Sequence, residues 1–163
     1  MNAVSPEPAQ TYLQLRSRIL SLKPADLGLA PSAKAPHVWG VLMETGYEVG
    51  TATLFSLADG TTSLYYSTGG GMLGSGEYAP VAEASKALVT QAEDHLQHMS
   101  STDDFSLPEE GHVRFTILTY SGTHSAEATE KSIASGNHLL FPLFMQARET
   151  LTQLRLLVEK KRK

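Results

Sequence analysis

Apolar residues recur at helical spacing in three parts of the chain, and each part predicts a helix. The first helix is predicted over about residues 11–22. The second is predicted over about residues 80–99, where alanines raise the helix propensity. The third is predicted from Phe141 or Pro142 to near Lys160, and its apolar stripe is wider than one sheet face requires. That extra width leaves room for contact with a second subunit.

Branched and aromatic residues between the first two helices form three runs that are typical of β-strands. These runs span residues 38–45, 51–57 and 61–66. Asp59-Gly60 is a strong hairpin signal because both residues tolerate positive φ. A further strand is predicted over residues 112–120. Residues 123–133 fit either an edge strand or a short helix, and the pattern leaves both open.

Hairpin connections between the predicted strands indicate an antiparallel sheet. In the first strand, Trp39, Val41 and Met43 alternate with Val38 and Leu42, so both faces are apolar. A sheet that is covered on one side only should instead alternate apolar with polar residues. We therefore predict an α+β fold: a single antiparallel sheet of four to five strands with helices on both faces, in the order α-β-β-β-α-β-(β)-α.

This order of elements resembles that of the profilin, roadblock and longin domains, which are small signalling and scaffold domains. The likeness lies in the element order alone. Roadblock domains place two strands before the middle helix and three after it, whereas three and then two are predicted here. The resemblance implies an α+β scaffold and assigns no residue a role.

Length and composition favour one globular domain over residues 1–163. Within it we predict a flexible N-terminus over 1–10, a proline-rich connector over 24–36 and a basic tail over 159–163. The chain has no cysteine, which excludes disulfides, thiol catalysis and thiolate metal sites.

Charge and hydropathy bear on location and partners. The start of the chain shows no secretory signal, and no apolar run approaches the ~20 residues that a membrane span needs. The formal net charge of −4 gives little support to nucleic-acid binding. We therefore predict a cytoplasmic protein with neither a membrane nor a nucleic-acid partner.

Five of the 13 glycines lie between Ser67 and Pro80. Part of this stretch matches the G-x-G-x-x-G pattern of dinucleotide sites, but that pattern belongs to a parallel βαβ unit. No lysine or arginine occurs from Ala35 through Ser85 to pair with a phosphate. We predict that the loop mainly shapes the backbone, with ligand binding as the alternative. The candidate ligand residues are Tyr66, Gly69, Gly70, Gly71, Gly74, Gly76 and Tyr78.

Ionisable side chains cluster once, on the second predicted helix, at Glu93, Asp94, His95 and His98. His95 and His98 are three residues apart and could face one metal ion, but a stable site needs at least three well-placed ligands. We predict no metal and no cofactor. Serines and histidines are scattered, and no nucleophile motif is present, so we predict no catalytic residue.

These features favour a non-enzymatic protein-interaction or regulatory scaffold module, expected to be a homodimer that works through a sheet edge or the last helix. Its protein partner is unknown. The first alternative is a small-molecule or anion sensor that uses the Gly69–Gly76 loop. The second is an enzyme whose site is assembled from distant residues.

Overall fold

A single antiparallel sheet of seven strands forms the centre of the protein in the computed structural model, which describes residues 7–74 and 78–162. In chain order the strands are β1 (Val38–Tyr47), β2 (Gly50–Leu57), β3 (Thr62–Tyr66), β4 (Gly71–Gly74), β5 (Ser100–Ser101), β6 (His112–Thr119) and β7 (Gly122–Thr129). Their order across the sheet is β4-β3-β2-β1-β6-β7-β5. The first strand therefore lies in the middle, between β2 and β6.

Helices cover both faces of this sheet. The helices are α1 (Gln10–Leu20), α2 (Ala79–His95), α3 (Glu130–Ala134) and α4 (Phe141–Arg162), with short 3-10 turns at Pro24–Leu27 and Leu96–His98. On one face α1 buries Ile19 against Trp39, Leu42 and Phe55. On the other face α2 and α4 pack side by side over the larger core. The general α+β class agrees with the sequence prediction.

The predicted number of four to five strands is wrong, because the sheet has seven. The two additional strands, β4 and β5, lie in stretches for which no strand was predicted. Both are edge segments of two to four residues, Gly-Met-Leu-Gly and Ser-Ser, which are too short to show an alternating pattern. Backbone pairing holds them instead, as in Leu64 with Met72 and Ser100 with Ser125.

Residues 123–133 form most of a strand followed by a short helix, so both alternatives are present. Strand β7 continues to Thr129 and pairs with β6 along its whole length. The side chain of Thr129 then accepts a hydrogen bond from the amide of Ser132 and caps α3. A strand and a helix thus meet at one capping threonine.

A buried ion pair fixes α1 to the middle of the sheet. The carboxylate of Glu44 on β1 is fully buried, and Arg16 of α1 donates to both of its oxygens, at 2.7 and 2.8 Å. Thr53 donates to the same carboxylate at 2.7 Å, and the Tyr12 hydroxyl lies 2.7 Å from the Thr53 hydroxyl. The two charges are therefore paired and further hydrogen-bonded, which burial of charge requires.

We expect Arg16→Met to destabilise the protein by about 3–5 kcal/mol, because it leaves the Glu44 carboxylate buried without its partner. Replacing both residues, as Arg16→Met with Glu44→Leu, should restore much of that loss because no charge then remains buried. Urea unfolding of the two variants measures both effects. A double variant no more stable than Arg16→Met would contradict this account.

The pKa of Tyr12 is raised from 10.0 to about 12, mainly by burial. The negative charge of Glu44 acts in the same direction, while the Thr53 hydrogen bond and the charge of Arg16 oppose the change. Below pH 10 the phenol is protonated in both the folded and the unfolded chain, so its contribution to stability is fully present. From pH 10 to 12 the unfolded chain loses this proton first, so the contribution is lost as pH rises.

We therefore expect wild-type stability to fall more steeply than that of Tyr12→Phe between pH 10 and 12. Denaturant unfolding across this interval measures the difference between the two proteins, in which the other titrating groups are common to both. Parallel stability curves would show that Tyr12 is not responsible.

Candidate functional site

A cleft of about 430 Å³ lies between α4 and the end of the sheet at which β1 turns into β2. We call it the α4 cleft. Its floor is apolar and its rim is polar. The floor consists of Met43, Leu54, Leu64, Phe144 and Leu151, and the rim of Tyr47, Glu130, Arg148, Thr152 and Arg155.

The alternation of side chains along β1, β2 and β3 explains why a space remains there. Strand register places Met43, Leu54 and Leu64 in one row across the face below α4, and these three large side chains fill it. The next row towards the end of the sheet contains Thr45 and Ala52, which are small. Tyr66 follows beside Ala52 on β3. The smaller row leaves α4 without a full layer beneath it.

Two arginines of α4 stand at the rim of this cleft. Arg148 and Arg155 are seven residues apart, which places them on the same side of the helix and about 10 Å apart along its axis. The guanidinium of Arg148 lies 5.7 Å from the centre of the Phe144 ring. The ion pairs found among residues 7–74 and 78–162 join other side chains, so neither arginine has a carboxylate partner there.

Tyr47, which is half exposed, is influenced by one negative and one positive side chain. Burial raises the pKa of its phenol, the charge of Glu130 raises it further, and a hydrogen bond to Thr45 and the charge of Arg148 act in the opposite direction. Glu130 and Arg148 thus act on the same side chain from α3 and α4. With two guanidinium groups and one carboxylate, the lining has a formal excess of positive charge.

Four of the predicted ligand residues come together in a second cleft of about 330 Å³, which we call the glycine cleft. These four are Tyr66, Gly69, Gly70 and Gly71, and the start of α1 forms the opposite wall. Among the described residues that line the glycine cleft, none is basic. A role for it in ligand binding stays a prediction.

The remaining predicted residues lie apart from the glycine cleft. Gly74 ends β4 and pairs with Thr62. Tyr78 precedes α2, with the ammonium group of Lys160 5.7 Å from its ring centre. Gly76 lies outside the described residues.

The glycines between β3 and β4 form a hairpin turn. Gly69 and Gly70 have φ values of 108° and 83°, which favour glycine. A side chain at Gly71 would overlap the carbonyl oxygen of Leu64, because the two strands approach closely here. The turn joins antiparallel strands and not a strand to a helix, so it lacks the parallel unit of a dinucleotide site.

Glu93 and His95 of α2 make structural contacts. Glu93 accepts hydrogen bonds from the backbone amides of His37 and Val38, at 2.5 and 2.6 Å, and so holds the start of β1. The ring nitrogens of His95 face two backbone carbonyl oxygens, at 2.9 and 3.1 Å. Within the described ranges, no group of three histidine, aspartate or glutamate side chains is close enough to hold a metal ion.

Buried hydroxyl groups join α2 to the sheet. The Ser85 hydroxyl contacts those of Ser56, at 2.8 Å, and Thr62, and Thr62 also donates to the carbonyl of Gly60. These partners include no histidine or carboxylate that could activate an oxygen nucleophile. The cluster therefore supports packing and not covalent catalysis.

Sequence reasoning missed the rim of the α4 cleft. Arg148 and Arg155 flank the apolar stripe of the last helix at a spacing of seven residues, and that spacing was the available signal. Tyr47 and Glu130 reach the cleft from the ends of separate elements. No local pattern connects those two residues.

Comparison with protein-family models, with curated proteins and with solved structures finds no match to this chain. None of the helices formed by residues 7–74 and 78–162 is long and apolar enough to cross a membrane. The geometry of the clefts is therefore the basis for inferring a function.

Proposed function

We propose that this protein is a non-enzymatic regulatory module that binds a small amphipathic molecule in the α4 cleft. The observation that carries the proposal is the row of small residues, Thr45 and Ala52, which leaves about 430 Å³ between the sheet and α4. Pockets for small molecules usually measure ~300–1,000 Å³, with an apolar lining and a few polar groups that fix orientation. The α4 cleft agrees with both criteria.

The separation of floor and rim supports an amphipathic ligand. Leu54, Leu64 and Phe144 offer apolar surface at the base, where burial of hydrocarbon stabilises a complex. Tyr47 and Thr152 offer hydroxyl groups at the rim. A molecule with an apolar body and one polar end would match this division.

Binding at this place supports a regulatory role because the ligand would touch two layers at once. The cleft is formed by β1, β2 and β3 on one side and by α4 on the other. A ligand with more contacts in one arrangement of α4 would shift the protein towards that arrangement. Among the described residues that line the cleft, no nucleophile is hydrogen-bonded to a base, which favours binding over catalysis.

Filling the row of small residues tests the proposal. Ala52→Leu extends a side chain into the α4 cleft, and we expect it to weaken binding of the neutral fluorescent probe N-phenylnaphthylamine about tenfold. Ala87→Leu makes the same replacement at an exposed position of α2 and should leave the affinity unchanged. Fluorescence titration measures both. Absence of saturable binding to the wild type, or equal affinity in a folded Ala52→Leu variant, would contradict the proposal.

A second proposal, that the protein is a homodimeric interaction module, is favoured by apolar exposure on α4. Met145 and Leu156 are 46% and 49% exposed. They are 11 residues apart, so they lie on the same side of the helix, about 16 Å apart along it. Exposed apolar residues on one helix face are typical of a contact surface. The partner protein and the cytoplasmic location also stay predictions.

If α4 mediates a dimer, introducing charge at both positions should separate it. We expect the wild type to sediment as a dimer and Met145→Glu with Leu156→Glu to sediment as a monomer, because two pairs of carboxylates would be buried at a symmetric contact. Lys86→Glu, on the exposed side of α2, controls for the change of charge. A monomeric wild type at high concentration would exclude this proposal.

A further inference from the structure

We infer that the ligand of the α4 cleft is a small organic acid whose anionic group is held by Arg148 and Arg155 while its apolar body lies over the cleft floor. This inference rests on the proposed function of the cleft and names the chemical class of its ligand. Carboxylate and sulfonate groups each carry one negative charge and offer at least two acceptor oxygens to a guanidinium group.

Among the described residues, neither Arg148 nor Arg155 has a carboxylate partner. Arg148 and Arg155 both line the cleft, yet the ion pairs among the residues that the structure describes engage Arg16, His37 and Arg114 instead. Arg16 shows what a satisfied arginine looks like in this protein, since it binds a carboxylate through two nitrogens. The guanidinium groups of Arg148 and Arg155 can bind a carboxylate in the same way, but no ion pair among the described residues involves them.

The positions of both arginine side chains along α4 also favour an anionic ligand. Arg148 lies over the Phe144 ring, at 5.7 Å from its centre, so part of the side chain already has a packed position beside the floor. Arg155 follows two helical turns later, and Leu151 and Thr152 lie between them facing the cleft. Guanidinium groups bind carboxylates through a pair of parallel hydrogen bonds, which adds geometric selectivity to charge.

The formal charges of the residues that line the cleft also favour a ligand with one negative charge. Among the described residues that line the cleft, Glu130 is the one with an acidic side chain, and its charge opposes that of Arg148 at Tyr47. Two positive groups and one negative group leave room for one compensating negative charge. A ligand with a single anionic group therefore fits better than a cation, and a dianion would meet repulsion from Glu130.

The alternative is that both arginines only keep the helix surface hydrated, as exposed arginines commonly do. The two explanations differ in one respect: only the proposed site distinguishes an anionic ligand from a neutral ligand of the same shape. Anilinonaphthalene sulfonate and N-phenylnaphthylamine form such a pair, because they share their aromatic rings and differ in one sulfonate group.

The experiment titrates both probes against folded wild type and single variants, with thermal unfolding to verify the fold. We expect Arg148→Gln and Arg155→Gln each to weaken binding of the sulfonate probe about tenfold, since each removes a charge-assisted hydrogen bond. Both should leave the neutral probe within about twofold of wild type. Glu130→Gln should strengthen binding of the sulfonate probe and leave that of the neutral probe unchanged, because it removes a charge that repels the sulfonate.

Two controls separate local contact from general charge. Arg18→Gln removes the same charge from the exposed side of α1, which covers the opposite face of the sheet, and should change neither affinity. Added sodium chloride should weaken wild-type binding of the sulfonate probe and spare the neutral probe, a result that needs no variant.

The possible outcomes distinguish this inference from the function on which it rests. If the neutral probe binds and Ala52→Leu blocks it, but the arginine and Glu130 variants leave the sulfonate probe unchanged, the organic-acid inference is overturned and the cleft function stands. If neither probe binds the wild type, both are overturned. Selective loss of the sulfonate probe in the arginine variants supports both.

Discussion

The packing of α4 over rows of unequal side chains is the constraint on which the functional account depends. One row below the helix consists of large apolar residues and anchors α4, while the next contains the small residues Thr45 and Ala52 and leaves a gap. Core packing in proteins is dense, so a space of this size between a helix and a sheet requires a specific cause. Here the cause is the register that aligns two small residues on adjacent strands.

The opposite face of the sheet supplies the rigidity that such a cleft needs. Glu44 lies on β1 between Met43 and Thr45, so the strand that carries part of the cleft also carries the buried ion pair with Arg16. Because alternate residues of a strand point to opposite faces, the same segment serves both purposes. A ligand in the cleft therefore contacts a strand that is held firmly from behind and a helix that is less completely supported.

The sequence predicted those features that residues close together in the chain determine, and it missed those that depend on strand pairing. Helical periodicity predicted α2 and α4 nearly within their observed bounds, because their apolar stripes are continuous. Strands β4 and β5 were missed because partner backbones hold them and their own side chains carry no pattern. The α4 cleft was missed for a related reason: Thr45, Ala52 and Tyr66 become neighbours through strand pairing, which no spacing along the chain reveals.

Backbone amide NMR spectra of isotope-labelled protein, recorded with and without N-phenylnaphthylamine, test the location of the site most directly. The account predicts that the probe shifts the signals of Thr45, Ala52 and Leu151, which surround the α4 cleft. The signals of Gly69 and Gly70, in the glycine cleft, should stay in place. Shifts confined to those glycines, or signals that the saturating probe leaves unchanged throughout, would contradict the account.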